Sequence, residues 1–205
     1  FRSSQTRMPV LFIAHGSPDI LLQRDPVLEL WRREAGILSR PQRILLLSAH
    51  WETADFIVGG NRDRQTLHDF SGFPEALYAC QYRPPADEEW AARLAGLLGC
   101  GLDQRRGLDH AVWVPLTVMF PQQDIPVTQL SVAPALGAAA HRALGRRLVA
   151  LRGSGVLIIA SGVIVHNLSR LHWTDGNARP EGWAESFMAA VNEAIFSGDG
   201  EALQA

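Results

Sequence analysis

Two short apolar segments, each followed by a histidine, constrain the fold of this chain more than any other feature. Residues 43–51 read RILLLSAHW and end in His50 and Trp51, and residues 9–14 read PVLFIA and are followed directly by His15. A short continuous apolar run is typical of a strand buried on both faces, as in a parallel sheet. Polar residues at the carboxyl ends of such strands face the crevice where open α/β sheets bind ligands. We therefore expect His15 and His50 to lie at the same end of one sheet, as half of a metal site.

The rest of the chain alternates segments typical of strands and of helices. Asp25 is a favourable N-cap and Pro26 a favourable first residue for an amphipathic helix over residues 25–37. Pro115 favours a helix over a central strand for residues 111–119, with His110 at its start. The other helices are predicted at 74–79, 86–99, 135–151 and 183–196, and the strands at 9–14, 43–49, 55–59, 126–132 and 156–161. This alternation predicts an α/β fold with three layers, a mostly parallel central sheet and a metal site at the carboxyl ends of the strands.

Length and composition are those of one globular domain. The chain has 205 residues, of which 47% are hydrophobic and 20% charged. We expect a disordered lead or an expression remnant at residues 1–7 and a single catalytic domain over residues 8–205. The segment after Gly200 resembles the first turn of a helix, which predicts that this domain is truncated at its carboxyl terminus.

Charge and cysteine usage restrict the partners and the compartment. The net charge is −2 with no basic run, which argues against a nucleic-acid partner. The apolar stretches are far shorter than the ~18 residues that a membrane span needs. Cys80 and Cys100 lack the spacing of metal ligands, so we interpret them as free thiols in a reducing compartment and expect a cytoplasmic location. The sequence does not indicate an oligomeric state.

Two histidines alone do not complete a metal site. Neutral imidazole suits iron, zinc, copper and nickel, and both zinc and iron need at least one further protein ligand. The remaining ligand is expected either within this chain or in a segment beyond Ala205. The candidates within the chain are His166, Asp69 and Asp109.

Five motifs connect these residues to a known family. They are HGSP at 15–18, SAHW at 48–51, HDFSGFP at 68–74, DHAVWVPL at 109–116 and SGVIVHNL at 161–168, followed by WAESF at 183–187. In this order and spacing the chain resembles the class III (LigB-like) extradiol ring-cleaving dioxygenases, and within them the 4,5-DOPA dioxygenase branch. The resemblance covers the chain from Met8 to about Phe187.

The resemblance implies a role for each histidine of these motifs. His15 and His50 match the two metal-binding histidines of the family. His166 matches the acid–base histidine, which in the DOPA branch is also counted with the metal. His110 matches a catalytic histidine that hydrogen-bonds bound oxygen or substrate. The resemblance also implies that the remaining metal ligand lies beyond Ala205.

The resemblance further implies a reaction and its partners. It implies a non-haem Fe(II) enzyme that opens the aromatic ring of a small DOPA-like catechol with O2, and Zn(II) can occupy the same site. His68 matches a histidine beside the substrate pocket. Trp51, Phe70 and Phe73 could line that pocket around a flat ring, and an equally good interpretation makes them ordinary core aromatics.

Two other functions stay open on the sequence alone. The same histidines could hold Zn²⁺ and activate water, which would make the protein a zinc-dependent hydrolase. The chain could also be a catalytically inactive binding module that keeps the fold. The presence of His15, His50, His110 and His166 together argues against the inactive module. Consumption of O2 would separate a dioxygenase from both.

Overall fold

The computed structural model describes residues 7–170 and 179–204. The chain divides into two compact units, Phe1–Gly162 and Val163–Ala205. The predicted disordered lead falls almost wholly on residues 1–6, which lie outside the described residues. That one catalytic domain covers residues 8–205 stays a prediction.

The first unit is built on a mostly parallel sheet of six strands, as the sequence predicted. The strands are β1 (Val10–Ala14), β2 (Arg43–Glu52), β3 (Ile57–Gly59), β4 (Gly101–Asp103), β5 (Val127–Val132) and β6 (Val156–Gly162). Their spatial order is β1-β6-β2-β5-β3-β4. β1, β6, β2 and β5 run parallel to one another, whereas β3 is antiparallel to β5. β2 therefore lies in the interior of the sheet, and β1 at one edge of it.

Helices cover both faces of this sheet. They are α1 (Pro26–Ile37), α2 (Glu75–Tyr78), α3 (Glu88–Leu98), α4 (His110–Met119) and α5 (Gly137–Leu148). Successive residues of β2 point to opposite faces, so Ile44 and Leu46 join an apolar cluster with α1 and α4. Leu45 joins a second cluster with α3 and α5. The predicted three-layer α/β architecture is confirmed.

Specific residues mark the ends of α1, β1, β2 and α4. The side chain of Asp25 caps α1 by accepting a hydrogen bond from the backbone N–H of Val27, as its position predicted. β2 continues to Glu52 instead of ending at residue 49, so His50 lies within the strand, near its carboxyl end, rather than beyond it. His110 is the first residue of α4. Gly16, directly after His15, adopts a left-handed backbone conformation with φ of 64°, which turns the chain away from the sheet.

The second unit contains one long helix, α6 (Gly182–Ser197), which confirms the helix predicted at 183–196. A single turn of 3-10 helix at Leu168–Arg170 precedes it, just after His166. Within residues 7–170 and 179–204, no helix is both long and apolar enough to cross a membrane.

Candidate metal centre

Three histidines of the first unit come together at one end of the sheet. His15 follows β1, His50 lies near the end of β2 and His110 begins α4, and one ring nitrogen of each lies within 4.8 Å of the others. The Nε2 atoms of His15 and His50 are 3.1 Å apart. The ring centroids of His50 and His110 are 4.0 Å apart. The sequence predicted the convergence of His15 and His50 at the strand ends, and the structure adds His110 to them.

This arrangement fits a divalent transition metal. Two nitrogens that each lie about 2.0–2.1 Å from one ion, at a right angle, are roughly 3.0 Å apart. The separation of 3.1 Å between His15 Nε2 and His50 Nε2 is that of two neighbouring ligands. His15 is 3% exposed and His110 6% exposed, whereas the side chain of His50 is 28% exposed. An ion bound here would thus meet two buried imidazoles and a third at the solvent side.

A buried serine fixes the protonation pattern of His15. Ser161 in β6 donates its hydroxyl proton to the carbonyl oxygen of Ala111, so its Oγ is left to accept a hydrogen bond from His15 Nδ1 at 3.0 Å. A neutral His15 ring that donates through Nδ1 carries a lone pair on Nε2. That lone pair faces His50, and Nε2 is therefore the atom through which His15 would bind a metal.

Asp69 orients His110 by a hydrogen bond to the Nδ1 atom of its ring, as Ser161 does for His15. One carboxylate oxygen, Oδ1, accepts hydrogen bonds from both the backbone N–H and the ring Nδ1 of His110, each at 2.9 Å. Burial alone would raise the pKa of Asp69, but these hydrogen bonds outweigh it and lower the pKa below its ordinary value. The other oxygen lies 3.9 Å from His50 Nδ1. Asp69 was a candidate third ligand. In this structure it meets the Nδ1 atom of His110, in the way that carboxylates orient metal-binding histidines.

Asp109, another candidate ligand, is fully buried and lies behind the histidines. Its carboxylate accepts hydrogen bonds from Ser48 Oγ at 2.8 Å and from the side-chain amide of Gln129, and it pairs with Arg106 at 3.2 Å. Burial raises the pKa of Asp109 above its ordinary value, although these partners oppose the shift. Ser48 in turn accepts the backbone N–H of His50 at 3.1 Å.

An aromatic cluster adjoins the histidine group. The ring of Phe70 packs edge-to-face against His110 with centroids 5.8 Å apart, and it also contacts His68 and Phe73. His68 hydrogen-bonds the carbonyl oxygen of Cys80 at 3.0 Å, which fixes its orientation. The structure therefore brings together three of the four residues predicted to contact substrate.

Two members of this cluster were not predicted. Tyr78 in α2 packs against Phe70 and His68, with centroid distances of 5.2 Å and 5.9 Å, and Trp113 in α4 packs against both as well. Their signal in the sequence was weak, because each is one aromatic residue in a helix with many apolar neighbours. Trp113 is fully buried and belongs to the core, whereas Tyr78 is partly exposed.

The two remaining predicted residues belong to different units of the chain. Trp51 is 9% exposed, its ring lies against Gly59, and the guanidinium of Arg106 lies 5.2 Å above it. These contacts are those of a core aromatic, and its role as a pocket wall stays a prediction. His166 is an exposed residue of the second unit. Its predicted roles as acid–base group and third metal ligand also stay predictions.

Comparison with known proteins gives consistent matches over most of the chain. Residues 9–198 match the family model described as the catalytic LigB subunit of aromatic ring-opening dioxygenase. A protein of Escherichia coli (strain K12) named 4,5-DOPA dioxygenase extradiol is 43% identical over 188 residues, which cover 90% of this chain and 69% of the relative. A protein of the same name from Beta vulgaris is 38% identical over 200 residues, covering 93% of this chain and 74% of the relative.

One solved structure resembles the fold described above. It is the crystal structure of an uncharacterized protein from Escherichia coli K12, with a TM-score of 0.78 and 36% sequence identity. The match covers 92% of this chain and 73% of that protein.

Proposed function

Because the chain belongs to the LigB family, the catalytic subunits of aromatic ring-opening dioxygenases, we propose that it opens the ring of a DOPA-like catechol by extradiol cleavage with O2. As a member it is an oxidoreductase of the dioxygenase class, and the family depends on a non-haem metal. The relatives named 4,5-DOPA dioxygenase extradiol support a catechol as the substrate class. The free cysteines Cys80 and Cys100 are consistent with a cytoplasmic location.

The convergence of His15, His50 and His110 carries this proposal. We propose Fe(II) as the working ion, because imidazole ligands with open coordination positions suit non-haem iron, and Zn(II) as an ion that can occupy the same site. When bound, the metal would supply Lewis acidity toward a catechol hydroxyl and a site for O2. Everything else in the reaction must come from the side chains.

The side chains around the histidines divide this work. Asp69 accepts a hydrogen bond from the Nδ1–H of His110, so the neutral ring keeps its proton on Nδ1 and presents an unprotonated Nε2 that can bind a cation or accept a proton. We propose that Phe70, Phe73 and His68 hold the flat ring of the substrate beside His110. We assign His166 as the base that takes the catechol proton, since histidine is the side chain that most often serves as a general base.

An oxygen-uptake assay tests the proposal. Metal-free protein is loaded anaerobically with Fe(II), then mixed with DOPA and air, while dissolved O2 and visible absorbance are followed. We expect loss of O2 together with a coloured ring-opened product. The same assay on His50→Ala protein should show neither. Wild-type protein that holds iron but consumes no O2 with DOPA or simpler catechols would contradict the proposal and favour hydrolysis by a zinc form.

A further inference from the structure

A row of three buried serines crosses the sheet just below the histidines. Ser48 of β2 is paired in register with Ser161 of β6 on one side and with Ser131 of β5 on the other. All three are 3% exposed or less. A hydroxyl in such a place needs a hydrogen-bond partner, because an unsatisfied buried polar group is costly. The three serines have different hydrogen-bond partners, and each therefore has a different structural role.

Only two of the serines reach the metal-binding residues. Ser161 bonds the ring of His15, as described above. Ser131 bonds Thr53 Oγ1 at 2.6 Å and the backbone N–H of Ile57 at 2.8 Å. These bonds hold the connection from β2 to β3. Ser48 accepts the backbone N–H of His50 and donates to Asp109 Oδ1.

The bond between Ser48 and Asp109 joins two separate parts of the site. Asp109 is the N-cap residue of α4, yet its side chain accepts no capping hydrogen bond from that helix. Asp69 accepts the N–H of His110, while the Asp109 carboxylate faces the sheet and accepts from Ser48 and Gln129. Asp109 precedes His110 in the chain, and Ser48 bonds the backbone of His50. The bond therefore spans from the strand that carries one histidine to the helix that carries the other.

We propose that Ser48 and Asp109 are positioning residues that set the spacing of His50 and His110 and thereby the metal affinity of the site. This inference rests on the proposed metal site. Neither residue belongs to the group of converging ligand atoms. Both act through the backbone of the histidines. Hydrogen bonds behind metal ligands typically contribute about 10–100-fold to metal affinity.

A merely structural role for Ser48 makes a different prediction. Loss of a buried hydroxyl leaves partners unsatisfied and destabilises the fold whether or not it acts on a ligand. Ser131 provides a matched control, because it is equally buried, lies at the same level of the sheet and bonds other groups. The two serine-to-alanine variants should lose similar stability, but only one should lose metal affinity.

The experiment is a Co²⁺ titration of metal-free protein, followed by the visible absorption of the bound ion. We expect Ser48→Ala to bind Co²⁺ about 10-fold more weakly than wild type and with an altered spectrum, because the ligand geometry changes. Ser131→Ala should keep the wild-type affinity and spectrum. Urea unfolding of the metal-free variants measures the stability that each has lost.

A double-mutant cycle tests the pair itself. If one bond carries the effect, Ser48→Ala combined with Asp109→Ala should weaken Co²⁺ binding no more than the larger single change. Should Ser48→Ala not fold, Ser48→Cys replaces the hydroxyl by a somewhat larger thiol that is only a weak donor, with the same expected loss. Should Asp109→Ala not fold, the comparison of Ser48 with Ser131 still decides.

The outcomes separate this inference from the metal site. Wild-type affinity in the Ser48 variant, or an equal loss of affinity in Ser131→Ala, would overturn the positioning role and leave the metal site intact. Failure of wild-type protein to bind Co²⁺ at all would overturn the metal site and this inference with it.

Discussion

His15 and His110 are each held through the ring nitrogen that points away from the converging group. Ser161 accepts a hydrogen bond from the Nδ1–H of His15, and Asp69 accepts one from the Nδ1–H of His110. The Nε2 lone pairs of both rings are therefore aimed before any ion arrives. A site arranged in this way loses little side-chain freedom on binding, which favours affinity.

Removal of either ligand at the strand ends should abolish metal binding. We expect His15→Ala and His50→Ala to lose stoichiometric metal, measured by metal analysis after Fe(II) or Zn(II) loading and desalting. His141→Ala is the control. His141 donates from Nδ1 to the carbonyl of Gly137 and accepts the N–H of Ala133, away from the three converging ligands. The His141→Ala variant should lose about 1 kcal/mol of unfolding free energy and bind as much metal as the wild type. Normal metal content in both strand-end variants would contradict the site.

His166 should matter for rate rather than for folding. As a general base it is expected to contribute about 10²–10⁴-fold to turnover. We therefore predict that His166→Ala keeps the circular dichroism spectrum of the wild type and loses O2 uptake by that factor. Unchanged turnover would show that another group takes the proton. A loss of metal without loss of fold would instead support His166 as a ligand.

At the scale of elements, an ion pair links the start of α3 to the start of β2. Asp87 caps α3 by accepting the N–H of Trp90 and pairs with Arg43 at 2.8 Å. Burial by itself would raise the pKa of Asp87, but the hydrogen bonds from Arg43 and Trp90 outweigh it and lower the pKa. A carboxyl group with a lowered folded-state pKa stabilises the protein above its ordinary pKa, and this contribution disappears as the pH falls through the folded-state value.

Asp87→Asn tests this contribution, because asparagine still caps a helix but carries no charge. We expect the variant to be less stable than wild type at pH 7 by up to about 1 kcal/mol. The difference should shrink to zero as the pH falls below the ordinary value of 3.8 and through the lowered one. Urea unfolding of metal-free protein across an acid series measures it. Asp25→Asn, which changes the cap of α1 and leaves this ion pair in place, is the control.

The elements differ in how well the sequence predicted them. Continuous apolar runs in β2 and β6 and the Asp25-Pro26 start of α1 were strong local signals, and the structure has all three. The short strand β4 was missed, because its residues are exposed and show no apolar run. The end of β2 was placed too early, because Ser48 and Ala49 interrupt the apolar pattern although the strand continues.

Parts of the site were also beyond local patterns. His15 and His50 could be paired from the strand ends alone. The place of His110 beside them depends on how α4 packs on the sheet, and the bonds of Ser48, Ser161 and Asp69 join residues 41 to 146 positions apart. Such contacts leave no periodic trace in the sequence.

At the scale of the whole molecule, the middle of the sheet is buried on both faces, and neighbouring residues of β2 should therefore be equally costly to remove. Leu45 and Leu46 are both fully buried but belong to different apolar clusters. We predict that Leu45→Ala and Leu46→Ala each destabilise metal-free protein by about 2–5 kcal/mol in urea unfolding. Phe12→Ala in β1, where the side chain is 59% exposed, should cost less than about 1 kcal/mol. A small effect at either leucine would contradict the three-layer packing.

The strand order also bears on how quickly an ion would leave the site. β2 is hydrogen-bonded on both sides, by β5 and β6, whereas β1 is bonded only to β6 at one edge of the described sheet. Edge strands open locally far more often than interior ones, and amide hydrogen exchange should show this difference between β1 and β2. Since His15 follows β1, brief opening of that strand would withdraw one imidazole while His50 and His110 stay in place. The rate at which a chelator strips the protein should then follow the opening of β1 and not the unfolding of the molecule.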